Sequence, residues 1–386
     1  MEPVSSSYSL RQIASALLIG SVALLVLGLQ PILLGELVDK HFITMEGVGI
    51  IAMGEIVTLG LGVALGDALL PLSRYRSITA IAALLAAGLD LATSFATGDN
   101  QMIVLRAAAG LAEGVLVWVA TSIIVRSTKP ERLAAIFMVV QTLSQSGVAA
   151  LLAAWVVPRS GWQGGFQVLC AVTALAAVLA LGLPPRLAPL GSATGPKLRW
   201  STANVLPLAA AFAQMAALGA LWAYLEPLGL RIGFDAQGAQ AMISEMLAMQ
   251  VVGGIAAIWC VRRLGVVSTL GTGAAVLAAV ATCLYLLPTG ATLQFALLCA
   301  VFGFVWLFLM PFHVALAFRA DAKGRVAMLI PAAQLLGSAF GPLVASFTVT
   351  GDAARPVPLV SLCFAASAVA LILLGRRHWM SRPAGA

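Results

Sequence analysis

The chain has 386 residues, 61% of them apolar and only 10% charged, with a net charge of +7, a pI near 9.5 and a mean hydropathy of +1.01. A soluble domain carries about 25% charged residues, so this composition leaves too little polar surface for a water-soluble fold. The basic balance would suit nucleic acid, but the charges are scattered between long apolar runs, which excludes a nucleic-acid footprint.

Those runs predict twelve spans: 13–38, 48–70, 77–97, 102–125, 133–157, 163–183, 203–229, 239–261, 266–287, 291–318, 326–349 and 357–375. Each is long enough to cross a bilayer at about 1.5 Å per residue. No alternating strand pattern is present, which argues against a barrel. The first span carries Gln30 before Pro31, and the second carries Glu55. Asp67, Arg74 and Arg76 mark the turn before the third span. The fourth holds Arg106, Gly110 and Glu113, and the fifth holds Gln141 and Gln145. Pro184–Ser201 is the longest polar interruption and reads as a linker between two halves, 1–183 and 202–386. Beyond it, Trp222, Tyr224, Glu226 and Pro227 fall in the seventh span and Glu245 in the eighth. Arg262 and Arg263 fill the following turn, His313 lies in the tenth span and Gln334 in the eleventh. The first apolar run is too long for the core of a cleaved signal peptide, and no small-residue cleavage site follows it. The five cysteines form no CxxC pair, so they read as packing residues without a disulfide or metal role.

With the N-terminus inside, seventeen Lys and Arg fall in cytoplasmic segments and four outside, namely Lys40, Arg159, Arg231 and Arg355. Arg106 alone lies within a span. This is a strong positive-inside bias. It supports both the helix count and an orientation with both termini in the cytoplasm.

The chain also repeats itself. Leu105–Leu143 lines up without a gap on Leu298–Leu336, a shift of 193 residues, half the chain length. Gly110 falls on Gly303, Arg126 on Arg319, Arg132 on Arg325 and Gln141 on Gln334. Leu29-Gln30-Pro31 is similar to Leu225-Glu226-Pro227, and Gly54-Glu55 to Ser244-Glu245. A duplicated membrane protein implies two helical bundles around a shared site, the architecture of secondary transporters.

Here the chain resembles the major facilitator superfamily over nearly its whole length. Twelve spans in a 6+6 repeat, the central linker, Arg106 with Gly110 and Gly114 in the fourth span, and the Gly161-Trp162-Gln163-Gly164-Gly165-Phe166 run before the sixth carry the resemblance. It implies an all-α integral membrane fold of two pseudo-symmetric six-helix bundles. It also implies a gate formed by the loop between spans two and three and its counterpart in the second half, here Asp67, Arg74, Arg76, Arg262 and Arg263. Two departures stand out. The loop lacks the family's Asp at its usual offset. The Gly-Pro antiporter signature of the fifth span is missing, while Gly341-Pro342 stands in the eleventh.

Charges inside a bilayer cost at least about 2.5–3.5 kcal/mol on insertion scales, so they persist where they face a cavity or a partner. Arg106 and Glu113 share a helix face, about 10 Å apart along the axis, too far for a direct bond. Arg106 suits an anionic group and Glu113 suits proton coupling. The structural alternative pairs Arg106 with Glu55 or Asp90 to lock the first half. Glu226 reads as a cavity carboxylate for a proton or a cationic group, or else as a residue at the outer rim. Glu55 and Glu245 are coupling candidates if buried. Gln30, Gln141 and Gln334 would bond solute or neighbouring helices, and Trp222 and Tyr224 would line an apolar site. His313 is a candidate relay.

No ATP-binding loop, zinc motif or nucleophile constellation is present, and no appended soluble module offers catalysis. The expectation is a non-enzymatic, cofactor-free monomer in a bacterial inner membrane. It would move a small organic solute by alternating access, coupled to protons, with a lean to export. Uptake of an organic anion with protons is the alternative, and a non-transporting receptor or scaffold on the same fold is the alternative of another class.

Overall fold

The computed structural model describes residues 8–128, 130–188, 200–321, 325–349 and 353–380. The central linker residues 189–199, with Lys197 and Arg199, lie outside the described residues, as do Lys129, Lys323 and Arg382. Every regular element among the described residues is helical. In chain order these are α1 (Leu10–Ala23), α2 (Leu25–Asp39), α3 (Met45–Leu69), α4 (Tyr75–Thr93), α5 (Gly98–Arg126), α6 (Pro130–Leu151) and α7 (Val157–Leu179), then α8 (Thr202–Trp222), α9 (Leu225–Ile232), α10 (Ala236–Cys260), α11 (Val266–Leu286), α12 (Thr292–Ala320), α13 (Ile330–Ser346) and α14 (Val357–Met380).

Eleven stretches among the described residues are long and apolar enough to cross a membrane. One of them, Arg132–Gly182, has 51 residues, about twice the length that a crossing needs. It bends at Gly161, whose φ of 60° and ψ of −165° interrupt the helix where the sequence places a turn between two spans. It therefore supplies two crossings, giving the twelve expected. The lipid requirement is visible on the outside: Ile81, Leu84 and Leu85 of α4 and Leu373 and Leu374 of α14 are all exposed. Such side chains are stable against acyl tails and not in water.

Local chemistry sets the ends and breaks. Ser9 and Gln12 form a reciprocal capping box at the start of α1, and the Asp235 carboxylate accepts from the Gly238 N–H at the start of α10. The first span is broken between α1 and α2 at Leu24, ahead of Pro31, and the Leu24 carbonyl accepts a 2.6 Å bond from Gln145 Nε2. The seventh span breaks between α8 and α9, where Pro227 has no N–H to offer the Ala223 carbonyl one turn earlier. The two prolines occupy matching places in the repeat.

The helices gather into two compact units, Met1–Leu37 with Gly54–Gly195, and Val38–Met53 with Pro196–Ala386. The first half of α3 thus groups with the second unit rather than with 1–183. Gly49 shows why: the Pro342 carbonyl and the Ser346 side chain fill the space that a Cβ there would need. In the first unit α4 packs on α5 and α7, and α1 on α5, α6 and α7. In the second, α8 packs on α13 and α14, and α10 on α12. The tightest crossings are backbone to backbone. A Cβ on Gly110 would overlap the Glu55 carbonyl, and one on Gly114 would overlap that of Leu59. The repeat partner Gly303 meets the Met246 carbonyl in the same manner. Small residues let membrane helices approach where burial from water supplies no driving force.

Candidate functional site

The first unit holds a buried charge cluster to which five helices contribute. Arg106 of α5 is 1% exposed, and each of its guanidinium nitrogens is engaged. Nη1 donates to Glu55 Oε1 of α3 at 2.9 Å, and Nη2 to Asp90 Oδ1 of α4 at 2.8 Å. Nε and Nη2 both donate to the Thr93 hydroxyl, at 3.2 and 3.0 Å. The guanidinium carbon lies 5.1 Å from the centre of the Phe166 ring of α7, a cation–π arrangement. The second oxygens of both carboxylates are also bonded: Gln30 Nε2 of α2 donates to Glu55 Oε2 at 3.1 Å, and the Thr173 hydroxyl of α7 to Asp90 Oδ2 at 3.0 Å.

Glu113 is the exception in this cluster. It is 4% exposed, its Oε1 stands 4.0 Å from Arg106 Nη1, and its Oε2 has no hydrogen-bond partner among the described residues. Arg106 and Glu113, expected to be too far apart for a direct bond, approach to 4.0 Å, beyond hydrogen-bond distance. The axial rise between them is right, but two long side chains on one face close most of it. The cluster also answers the choice posed for Arg106, which pairs with both Glu55 and Asp90.

The second unit has no counterpart of Arg106, since Cys299 occupies the repeat position. It holds a chain of neutral polar groups instead. Gln214 Nε2 of α8 donates to the Leu270 carbonyl of α11 at 3.0 Å. Its Oε1 lies 2.6 Å from His313 Nε2 of α12, and His313 Nδ1 lies 3.0 Å from Gln334 Nε2 of α13. Nearby in chain order, the Glu226 carboxylate of α9 accepts from Gln240 Nε2 of α10 at 2.9 Å, with both residues buried. Trp222 packs edge-on against Trp306, which packs edge-on against Phe302. Tyr224 is buried with its hydroxyl close to Gly49.

The remaining expected positions do not join these clusters. Glu245 is exposed on α10. Gln141 is half-buried on α6, and its Oε1 has no partner among the described residues. Of the expected gate, Asp67, Arg74, Arg262 and Arg263 are exposed. Arg76 instead grips the chain after α7, donating to the Leu183 carbonyl from Nε at 3.1 Å and from Nη2 at 2.5 Å. Arg126 does likewise at the Ala188 carbonyl, at 2.9 Å, and the Leu187 N–H donates to the Leu72 carbonyl at 2.9 Å. Residues 184–188, read from sequence as the start of the linker, are thus tied to the first unit through Leu187 and Ala188. The sequence reading missed Thr93, Thr173, Gln214 and Gln240. Thr93 had a signal, as it lies one turn from Asp90 on the same helix face. Gln214 had one as an amide in the middle of an alanine-rich span.

The family model of the Major Facilitator Superfamily matches residues 13–342. The chain therefore belongs to that superfamily, and it is a multi-pass membrane transporter rather than an enzyme. Solved structures share the fold. A bacterial homolog of the human lysosomal transporter Spinster, in an inward-facing and occupied conformation, is similar at 14% identity and a TM-score of 0.73, over 97% of this chain and 98% of that one. The nucleoside transporter NupG, as a mutant, is also 14% identical with a TM-score of 0.73, over 95% and 99%. The xylose transporter XylE from E. coli, in a partially occluded inward-open conformation, is 14% identical with a TM-score of 0.64, over 97% and 100%. No curated protein matches the chain at a significant level.

Proposed function

We propose that this secondary transporter couples solute movement to protons through the Arg106 cluster, with Glu113 as the group that takes up and releases the proton. The observation that carries the reading is a charge count. One guanidinium faces three carboxyl groups in a volume sealed from water, so the cluster is neutral only when two protons are held among them, one on Glu113 and one within the Glu55–Asp90 pair around Arg106. Glu55 and Asp90 are fixed by paired hydrogen bonds on both oxygens, whereas Glu113 has one long contact and one vacant oxygen. An uncompensated charge at bilayer depth costs several kcal/mol on any scale, so loss of the proton from Glu113 would drive the unit toward an arrangement that opens the carboxylate to water or to a cation.

Four of the five guanidinium N–H groups of Arg106 donate to Glu55, Asp90 and Thr93, and the fifth, on Nη1, has Glu113 4.0 Å away, which favours this over uptake of an organic anion because the protein's own carboxyl groups already surround the cation. The aromatic group of Trp222, Trp306 and Phe302 suits an apolar or aromatic solute and supports export. Spinster-like, nucleoside and sugar transporters share the fold, so the fold leaves the solute open. The proposed setting is a bacterial inner membrane with both termini in the cytoplasm, and the proposed state is a monomer. Gln30, Glu55, Gln141, Glu226, Glu245 and Gln334 are kept as candidates for coupling or solute contact. A receptor or scaffold has less support, because the buried charge cluster lowers the stability of a fold that an apolar core would serve better.

The test is proton flux in proteoliposomes challenged with a panel of organic acids, organic cations and aromatic amphiphiles. Wild type should acidify or alkalinise the lumen with one solute class, and Glu113→Gln should still move that solute down its own gradient with the proton signal gone. Solute flux that carries no protons in the wild type would falsify the coupling.

A further inference from the structure

The neutral chain in the second unit has a direction, and the direction specifies a ligand. It ends on the Leu270 carbonyl, which only accepts. Gln214 must turn its NH2 toward that carbonyl, which turns its Oε1 toward His313. His313 Nε2 must then donate, at 2.6 Å, so the proton of the neutral ring sits on Nε2 and Nδ1 is left to accept. Gln334 meets Nδ1 with its NH2 at 3.0 Å. The only group left at the far end is Gln334 Oε1, on a side chain 7% exposed, and no described residue donates to it. One backbone oxygen thus orients three side chains in series and fixes the free end of the last as an acceptor.

Charge nearby does not complicate this. On the helices packed against α12 the charged residues are Glu226 and Arg231 of α9, Glu245 of α10, and Arg376 and Arg377 of α14, with none on α8, α11 or α13. None of them bonds to the imidazole, whose two partners are the Gln214 and Gln334 amides. A second observation comes from the other unit. Gln141, the repeat counterpart of Gln334, also holds a side-chain oxygen that accepts nothing from the described residues, and that atom is buried. An unfilled buried acceptor costs about 1–3 kcal/mol, so a donor from outside the chain would stabilise it.

We infer that Gln334 Oε1 is a solute-binding acceptor that selects a hydroxyl or N–H donor and disfavours a carboxylate, with His313 as the positioning residue that locks the amide in that orientation. This rests on the reading of the chain as a solute transporter but not on its coupling to protons. Gln141 offers an acceptor of the same kind in the first unit.

Two measurements test it. The first needs no ligand: nitrogen NMR of ring-labelled histidine in the full-length protein in lipid nanodiscs, with the His313 signal identified by its loss in His313→Gln. We expect a proton on Nε2 and a bare Nδ1 near neutral pH. A proton on Nδ1, alone or with Nε2, reverses the chain and overturns the inference. The second is binding of hydroxymethylnaphthalene, its methyl ether and naphthoate to the same nanodiscs. Wild type should prefer the alcohol over the ether by about tenfold, one neutral hydrogen bond's worth, and bind naphthoate least. Gln334→Leu should erase that preference, and Gln334→Met provides a second route if the first variant folds poorly. His313→Leu should weaken the preference without touching the ligand. Equal binding of alcohol and ether, or no binding of the alcohol, would sink the assignment. Absence of proton flux in wild type would sink the coupling and leave this preference standing, so the two fail separately.

Discussion

At the scale of single residues, Arg106 and Glu113 divide structure from transport. Removing the guanidinium leaves Glu55 and Asp90 buried without a cation, and breaking a buried pair in this way costs about 3–5 kcal/mol. Arg106→Leu should therefore lower the melting temperature of the detergent-solubilised protein sharply, and a melt equal to wild type would show that the cluster does not hold the first unit together. Glu113→Gln keeps the volume and removes a group with only one 4.0 Å contact, so its melt should stay close to wild type. Outside the membrane, Arg325 donates to both Asp321 oxygens, at 2.9 and 3.0 Å, and these bonds raise the ionisation of its guanidinium above the usual arginine range. A raised base contributes its stability below its unfolded value and loses it only as pH climbs through the folded one. Arg325 therefore adds no pH dependence near neutrality.

At the scale of elements, the glycines sort into those that a crossing requires and those that it does not. Gly110 has the Glu55 carbonyl where a side chain would go, while Gly147 of α6 has open space around its missing Cβ. Gly110→Leu should cost more than the roughly 1–3 kcal/mol of ordinary overpacking, because backbone cannot move aside as a side chain can. Gly147→Ala should gain up to about 1 kcal/mol from helix propensity. Membrane yield and melting of the two variants, measured side by side, check this, and a well-folded Gly110→Leu would refute the close crossing of α3 and α5. Half of this was legible: Gly110 and Gly303 stood out as a repeat pair. Their carbonyl neighbours did not, because crossing distance depends on which helices pair and sequence spacing leaves that open.

At the scale of the whole molecule, the tied segment 183–188 changes where the linker begins. Replacing residues 189–199 with a flexible stretch of equal length should leave membrane insertion and transport intact. Arg76→Ala with Arg126→Ala should loosen 183–188, read as faster protease cleavage there in membrane vesicles. Unchanged cleavage would mean that the two arginines do not restrain the chain. In the basic loop after α3, which the sequence reads as part of a gate, Arg76 anchors the Leu183 carbonyl.

Composition and run length by themselves determined that the chain is a helical membrane protein of twelve spans, because bilayer thickness and the need to satisfy every backbone group inside the segment act on local sequence alone. The internal repeat determined the 6+6 plan, and rarity marked Arg106, Glu113, Gln334 and Glu226 as polar residues in an apolar background. Only the tertiary structure decided what those residues do to one another. Partners such as Glu55, Asp90 and Thr93 for Arg106, or Gln214 and Gln334 for His313, come from positions up to 99 residues apart. Their hydrogen-bond directions depend on which faces meet, and a charge or an amide in a sequence carries no record of the group that packing places against it.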